Sequence, residues 1–210
     1  MTAIAKRSSQ KPAMQERILQ TAEALFYGEG IRATGVDTIA AKAGISKRTL
    51  YNHFPSKDAL IAAYLKRGFY EPRSSDLPPL QQILRSFDRL EANFANKDFR
   101  GCRFVNAVAE IGDADCAARA IAIEFKEGRR LWFRDRLTAL GVADADGLAM
   151  QLAILVDGAI AGAMVRGDPS VARQAAQAAR VLIAGAGVDL AGAAGPDDTP
   201  APNAPLHCKR

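Results

Sequence analysis

Residues 34–57, TGVDTIAAKAGISKRTLYNHFPSK, leave little choice of local structure, because their start and stop signals fit two short helices joined by a tight glycine turn. Thr34 followed three residues later by Asp37 is a capping-box pattern, so the first helix is predicted to begin at Thr34. Ile39, Ala40 and Ala43 then form its buried face, and Gly44 ends it, glycine being the residue that accepts the left-handed conformation past a helix end. Ser46 restarts the chain as an N-cap, and Pro55 stops the second helix after Phe54. Helix, short turn, helix is the helix-turn-helix order.

On a wheel of about 100° per residue, Leu50 and Phe54 of the second helix fall together and mark its buried side. Arg48 and Asn52 lie opposite, Thr49 and Tyr51 flank them, and Lys47 and His53 sit nearer the buried edge. Arg pairs with guanine O6 and N7, and Asn with adenine N6 and N7. Arg48, Thr49, Tyr51 and Asn52 are therefore predicted to read base edges in double-stranded DNA, with Thr34, Thr38, Lys47, His53 and Lys57 meeting the phosphate backbone. For a basic octapeptide alone a solvated face would explain the pattern; the capped, turn-linked setting points to DNA.

From about residue 14 to 68 the chain resembles the N-terminal domain of the tetracycline-repressor (TetR/AcrR-like) transcription regulators, in the run ILQTAEALFYGEGIRATGVDTIAAKAGISKRTLYNHFPSKDAL. The resemblance covers roughly a quarter of the chain. It implies an all-α protein: a three-helix DNA-binding head whose longer first helix braces the helix-turn-helix, then a variable helical domain that dimerises and binds a small-molecule effector. Gly35 departs from the Thr or Ser that such proteins often carry at the start of the first short helix.

Charge divides along the same line. Residues 1–75 hold 12 Lys and Arg against 6 Asp and Glu, a formal +6, while residues 76–210 hold 16 against 17. The net positive charge thus lies with the helix-turn-helix, where phosphates would need it. An apolar fraction of 49% over 210 residues suits a globular core. No uninterrupted apolar run reaches the roughly 18 residues of a membrane span, and the N-terminus lacks a signal-peptide core, so a cytoplasmic protein with no membrane partner is expected. Cys102, Cys116 and Cys208 show no CxxC spacing and suggest neither a disulfide framework nor a zinc site.

In chain order, residues 1–13 read as a flexible basic arm, able to lie along DNA or simply frayed. Residues 14–70 are the head, braced by a helix with Ile18, Ala22, Leu25 and Phe26 on one side. After the reading helix, Ser56 caps a fourth helix that continues through Leu60, Ile61, Tyr64 and Leu65. Residues 71–79, with three prolines, form the linker, and residues 80–186 the helical effector-binding and dimerisation domain. Its helices are predicted over 80–94, 116–140, 146–165 and 169–184, making about nine in all with no sheet. The last two are crowded with alanine, which fits either a four-helix interface with a second copy or an intramolecular hairpin. Residues 187–210, rich in Gly, Ala, Pro and Asp, read as a disordered tail.

An effector pocket is expected among Phe94, Cys102, Phe104, Asn106, Val108, Glu110, Trp132, Phe133 and Leu155, the first element of this being GCRFVNAVAE, which resembles a stretch seen after the linker in some of these regulators. Asn106 and Glu110, one turn apart, suit either a polar lining or local pairing. Filling the pocket would shift the linker and the 60–67 helix and respace the two reading helices. A second trigger is Cys102, whose neighbour Arg103 would favour the thiolate and make it a target for oxidants or electrophiles. The acids Glu110, Asp113 and Asp115 fit a solvated loop better than a cation site, and His207 with Cys208 carries no clear metal signal. No cofactor is called for. An enzyme with a regulator-like N-terminus would have to rely on a carboxylate base such as Glu110 or Asp157, since only two histidines exist and no GxSxG, HExxH or phosphate-binding glycine loop occurs.

Overall fold

A computed structural model describes residues 3–69, 76–112 and 116–191. Among the described residues there are nine α-helices and no strand: α1 (Ala3–Gly28), α2 (Val36–Lys42), α3 (Lys47–His53), α4 (Lys57–Arg67), α5 (Pro79–Phe94), α6 (Arg103–Ile111), α7 (Ala117–Ala139), α8 (Ala145–Arg166) and α9 (Val171–Gly185). The chain forms two compact units, the first holding α1 to α4, α6 and the opening turns of α7, the second holding α5, the rest of α7, α8 and α9.

The first unit is built on the stripe Ile18, Ala22, Leu25 and Phe26 of α1, each almost inaccessible to water. Ile39 and Ala40 of α2, Leu50 of α3, and Leu60, Ile61, Tyr64 and Leu65 of α4 complete its core. The Phe26 and Tyr64 rings meet at 5.6 Å. Burial of each such aliphatic side chain contributes about 1.5–3 kcal/mol, which short helices like α2 and α3 require because seven residues do not hold a helix in water. Helix α1 begins at Ala3, so the segment expected to be an arm enters the first helix; its Ala, Lys, Arg and Gln are good helix formers even without apolar periodicity.

Polar contacts inside this unit tie α1 to α4 and α6. Glu23, on the buried side of α1, faces Arg103 Nη1 at 2.8 Å, and both side chains are only 7% exposed. Arg67 Nε lies 3.0 Å from the other Glu23 oxygen, a charge contact without hydrogen-bond alignment, while Arg67 Nη1 reaches Glu16 at 2.7 Å. The Arg67 guanidinium holds the Glu16 carboxyl below the usual carboxylate range. Arg103 also stacks 5.0 Å from the Tyr64 ring centre. Helix α6, assigned to the second domain by its place in the sequence, therefore packs with the first unit.

In the second unit Ile83, Leu84, Phe87 and Phe94 of α5 meet Phe133 and Leu137 of α7, Leu148, Leu152 and Val156 of α8, and Ile183 of α9. The Phe87 and Phe133 rings lie 6.0 Å apart. Buried alanines at 149, 159, 163, 172, 175 and 179 let the backbones of α8 and α9 approach closely. Asp144 caps α8 by accepting from the Gly147 amide at 2.8 Å, and Gly167 ends it at φ +63°. Among the described residues α8 is long and apolar enough, by length and composition, to cross a membrane, which the search for an uninterrupted apolar run overlooked. Its buried residues belong to the unit's core. Val188 and Leu190 pack on the same core, so the start of the expected disordered tail is ordered; residues 192–210 lie outside the described residues.

Gly68 carries a direct prediction. A Cβ there would stand 2.5 Å from Cδ of Arg103, although the backbone φ of −78° suits any residue. Gly68→Ala is expected to cost about 1–3 kcal/mol in urea unfolding, through overpacking alone. In an Arg103→Ala background the three atoms nearest the added methyl are gone, and the same substitution should then cost less. An equal cost in both backgrounds would contradict this packing.

Candidate nucleic-acid interface

The turn between α2 and α3 has the chemistry expected of it. Gly44 takes φ +63°, and the Ile45 amide reaches back to the Ala40 carbonyl at 3.0 Å, closing a Schellman-type end. Ser46 caps α3 by accepting from the Thr49 amide at 3.1 Å, and Ser56 caps α4 by accepting from Ala59 at 3.0 Å. Leu50 is fully buried and Phe54 nearly so, which fixes the rotation of α3 about its axis.

That rotation leaves Arg48 and Asn52 exposed, and neither side chain is hydrogen-bonded or ion-paired among the described residues. Tyr51, beside them, is 40% exposed. Thr49 is half-buried, its hydroxyl 2.9 Å from Ser46 Oγ, so it serves the cap as well as the surface. The remaining predicted residues differ in setting. Thr38 is exposed. Lys47 pairs with Asp37 at 3.0 Å, and that carboxylate holds the ammonium above the ordinary lysine range. Lys57 donates to the Ile31 carbonyl at 2.7 Å. His53 is half-buried, with Nδ1 enclosed and unbonded.

Two expectations are corrected. Thr34 is 1% exposed and cannot meet a phosphate; its hydroxyl donates to the Gly30 carbonyl at 2.7 Å, anchoring the α1–α2 loop. It does not form a capping box either, since α2 starts at Val36 with Gly35 as N-cap and no side-chain cap. Asp37 is engaged by Lys47 instead.

The residues expected to line one effector pocket are divided between the units. In the first, Phe104 is buried against Phe69 with ring centres 5.8 Å apart, Asn106 and Val108 are half-buried, and the Glu110 carboxylate accepts from the Arg32 amide at 2.9 Å. Glu110 is thereby committed to the backbone of the head. In the second, Phe133 is a core residue, 1% exposed, and Leu155 packs on that core. Trp132 stands edge-on to Phe133, with Nε1 enclosed and unbonded and the Arg136 guanidinium 4.1 Å from its ring centre. Burial lowers the Arg136 pKa from its ordinary value. Phe94 alone of the set borders a described cleft, about 290 Å³, that also involves Phe99, Lys97, Met164, Gly167 and Pro169.

Cys102 is a half-buried free thiol. The Arg103 guanidinium invoked to activate it pairs with Glu23. Asp113, Asp115, His207 and Cys208 lie outside the described residues; among those described, no three acids, histidines or cysteines gather as a metal site would require. Sequence reasoning missed the roles of Glu23 and Arg103, whose only local sign is a charge on an otherwise apolar helix face, and of Gly68, which has no such sign.

The family model for bacterial regulatory proteins of the tetR family matches residues 18–64, from the core of α1 to the middle of α4. The HTH-type transcriptional activator FasR of Mycolicibacterium smegmatis is 32% identical over 108 residues, so the match spans about half the length of each protein, 48% of this chain and 49% of that one. The repressor KstR2 of Rhodococcus jostii is 27% identical over 151 residues, 72% of this chain and 68% of that one. A solved TetR-type transcriptional regulator of Streptomyces avermitilis superposes with a TM-score of 0.76 at 32% identity, covering 84% of this chain and 99% of its own. SCO4454 of Streptomyces coelicolor gives 0.74 at 29% identity, with 82% and 95% covered. A likeness of that identity running the length of a solved regulator, joined to the match over the head, makes the chain a member of the TetR family of transcriptional regulators.

Proposed function

We propose that the protein is a cytoplasmic, sequence-specific repressor that binds a palindromic operator as a homodimer and leaves it when a small molecule binds the second unit. The observation that carries the reading is the outer face of α3, where Arg48 and Asn52 stand exposed, unengaged by any described residue, on a helix whose rotation the core fixes. A buried, capped scaffold holding bidentate donors toward solvent suits readout of major-groove edges, because the groups need not be torn from internal partners first. Arg48 and Asn52, with Tyr51 and Thr49 beside them, are the base readers; Thr38, Lys47, His53 and Lys57 position the helix on phosphates. Repression rather than activation follows KstR2, the relative matched over the larger share of this chain.

Dimerisation is supported by the outer side of the second unit. Ile154 and Val165 of α8 are 62% and 80% exposed, three turns apart, and Met150 extends the same stripe with exposed Gly158 and Ala161 between. Val181 of α9 is 63% exposed. Two copies joined there would present α3 to successive major grooves about 34–36 Å apart. An effector would release DNA only by binding the non-DNA-binding arrangement more tightly.

The reading is tested with a duplex selected from a random-sequence library by the wild-type protein. Arg48→Ala or Asn52→Ala is expected to cost about 1–3 kcal/mol and to relax selectivity at one base pair per half-site. Lys57→Ala should weaken all duplexes alike and lower the salt slope by about one. Should Lys57→Ala alter sequence preference while the other two do not, the reading and positioning roles are reversed.

Ile154→Arg places a charge in the proposed interface. Sedimentation should show a monomer, and operator affinity should fall by more than about tenfold, or 1.4 kcal/mol. A dimer that persists in this variant would place the interface elsewhere.

A further inference from the structure

Helix α6 grips the first unit at both ends. Arg103, its first residue, is enclosed between Glu23, the Tyr64 ring and Gly68. One residue from its other end, the Glu110 carboxylate accepts from the Arg32 amide at 2.9 Å and lies where a side chain on Gly30 would stand, a Cβ there being 3.0 Å from Oε2. Gly30 turns the chain at φ +98°, outside the range of most residues, and Thr34 ties back to the Gly30 carbonyl. Residues 30–35 belong to no helix, so their amides have no ladder to join and need partners from elsewhere. An ionised carboxylate is among the strongest acceptors available to such an amide.

This loop launches α2, and α2 packs on α3. A contact that fixes the loop therefore fixes the platform from which Arg48 and Asn52 project. We propose that α6, which lies outside the matched head, is a working part of the DNA-reading unit: Glu110 is a positioning residue that sets the start of α2 through the Arg32 amide, and Arg103 holds α6 in place to do so. The proposal rests on the DNA-reading assignment made above. Glu110 touches no nucleic acid in this scheme; it acts by restricting the loop before binding, so that less conformational freedom is lost on the duplex.

The test uses the 210-residue protein and the library-selected duplex. Glu110→Ala should weaken binding by about tenfold and speed hydrogen exchange at the Arg32 amide, while the salt slope stays unchanged because no phosphate contact is removed. Glu110→Gln keeps a carbonyl acceptor and should bind within about twofold of wild type with the Arg32 amide still protected. Glu110→Asp keeps the charge but is one methylene short, and should behave like the alanine variant; it also serves should the alanine variant not fold. Arg103→Lys, which cannot reproduce the guanidinium contacts, should also lose affinity and speed Arg32 exchange. Wild-type affinity in Glu110→Ala despite faster exchange at Arg32 would overturn the proposal, as would a loss in Glu110→Gln equal to that in Glu110→Ala. Failure of the wild-type protein to select any duplex would instead overturn the DNA-reading assignment, and this proposal with it.

Discussion

A carboxylate buried in an apolar helix face is expensive unless it is paired, and Glu23 is buried between two guanidinium groups. Each of those arginines belongs to a different element: Arg67 to the last turn of α4, where a cation is favoured by the helix dipole, and Arg103 to the first residue of α6, where it is not. The pairing with Glu23 offsets the second placement. Gly68 leaves room for the Arg103 stem, and Tyr64 offers its ring face to the same cation. Hydrophobic contacts along α1 would tolerate small rotations of their neighbours, whereas this cluster does not, since losing Glu23 leaves the buried Arg103 guanidinium without its carboxylate. The mutual orientation of α1, α4 and α6 follows from it. Its contribution is to specify one arrangement more than to add net stability.

The helix-turn-helix was legible because its determinants are local. Ser46, Ser56, Gly44 and Pro55 act on residues within one turn, and Leu50 with Phe54 sets the rotation of α3 through a spacing visible in the chain. The second unit was legible for a similar reason, its apolar residues recurring at helical intervals that carry over directly into Ile83, Leu84, Phe87 and Phe94 of the core. Partners that lie far along the chain were not legible. Glu110 meets an amide 78 residues away, and Lys57 a carbonyl 26 residues away. Locally, Glu110 resembles a lining or pairing acid. Thr34 was misread over a shorter distance, because a hydroxyl before a helix suggests a cap and only the fold shows it turned inward to Gly30.

The placement of α6 shows how sequence order and packing can part. A linker rich in proline precedes α5, so everything after it looks like one domain. Polar anchors at the two ends of a nine-residue helix suffice to bind it to the head, with Phe104 and Ala107 buried between them. Neither anchor has a periodic signature.

The excess positive charge of the N-terminal third is not all available on the free head. Lys42 pairs with Glu29 and Lys47 with Asp37, each at 3.0 Å and each with more than half of its side chain exposed. Exposed pairs of this kind hold weakly and are screened by salt, so a duplex carrying many phosphates can displace the carboxylates. The displaced acids then face the same phosphates, and part of the attraction is lost again. Lys57 differs in kind. Its partner, the Ile31 carbonyl, is neutral and occupies one of three ammonium donors, so the full charge and two donors remain for a phosphate without any acid being released. A cation at the start of α4, together with an Arg48 on α3 that no described residue pairs, adds attraction at the reading head, while the paired lysines respond chiefly to ionic strength.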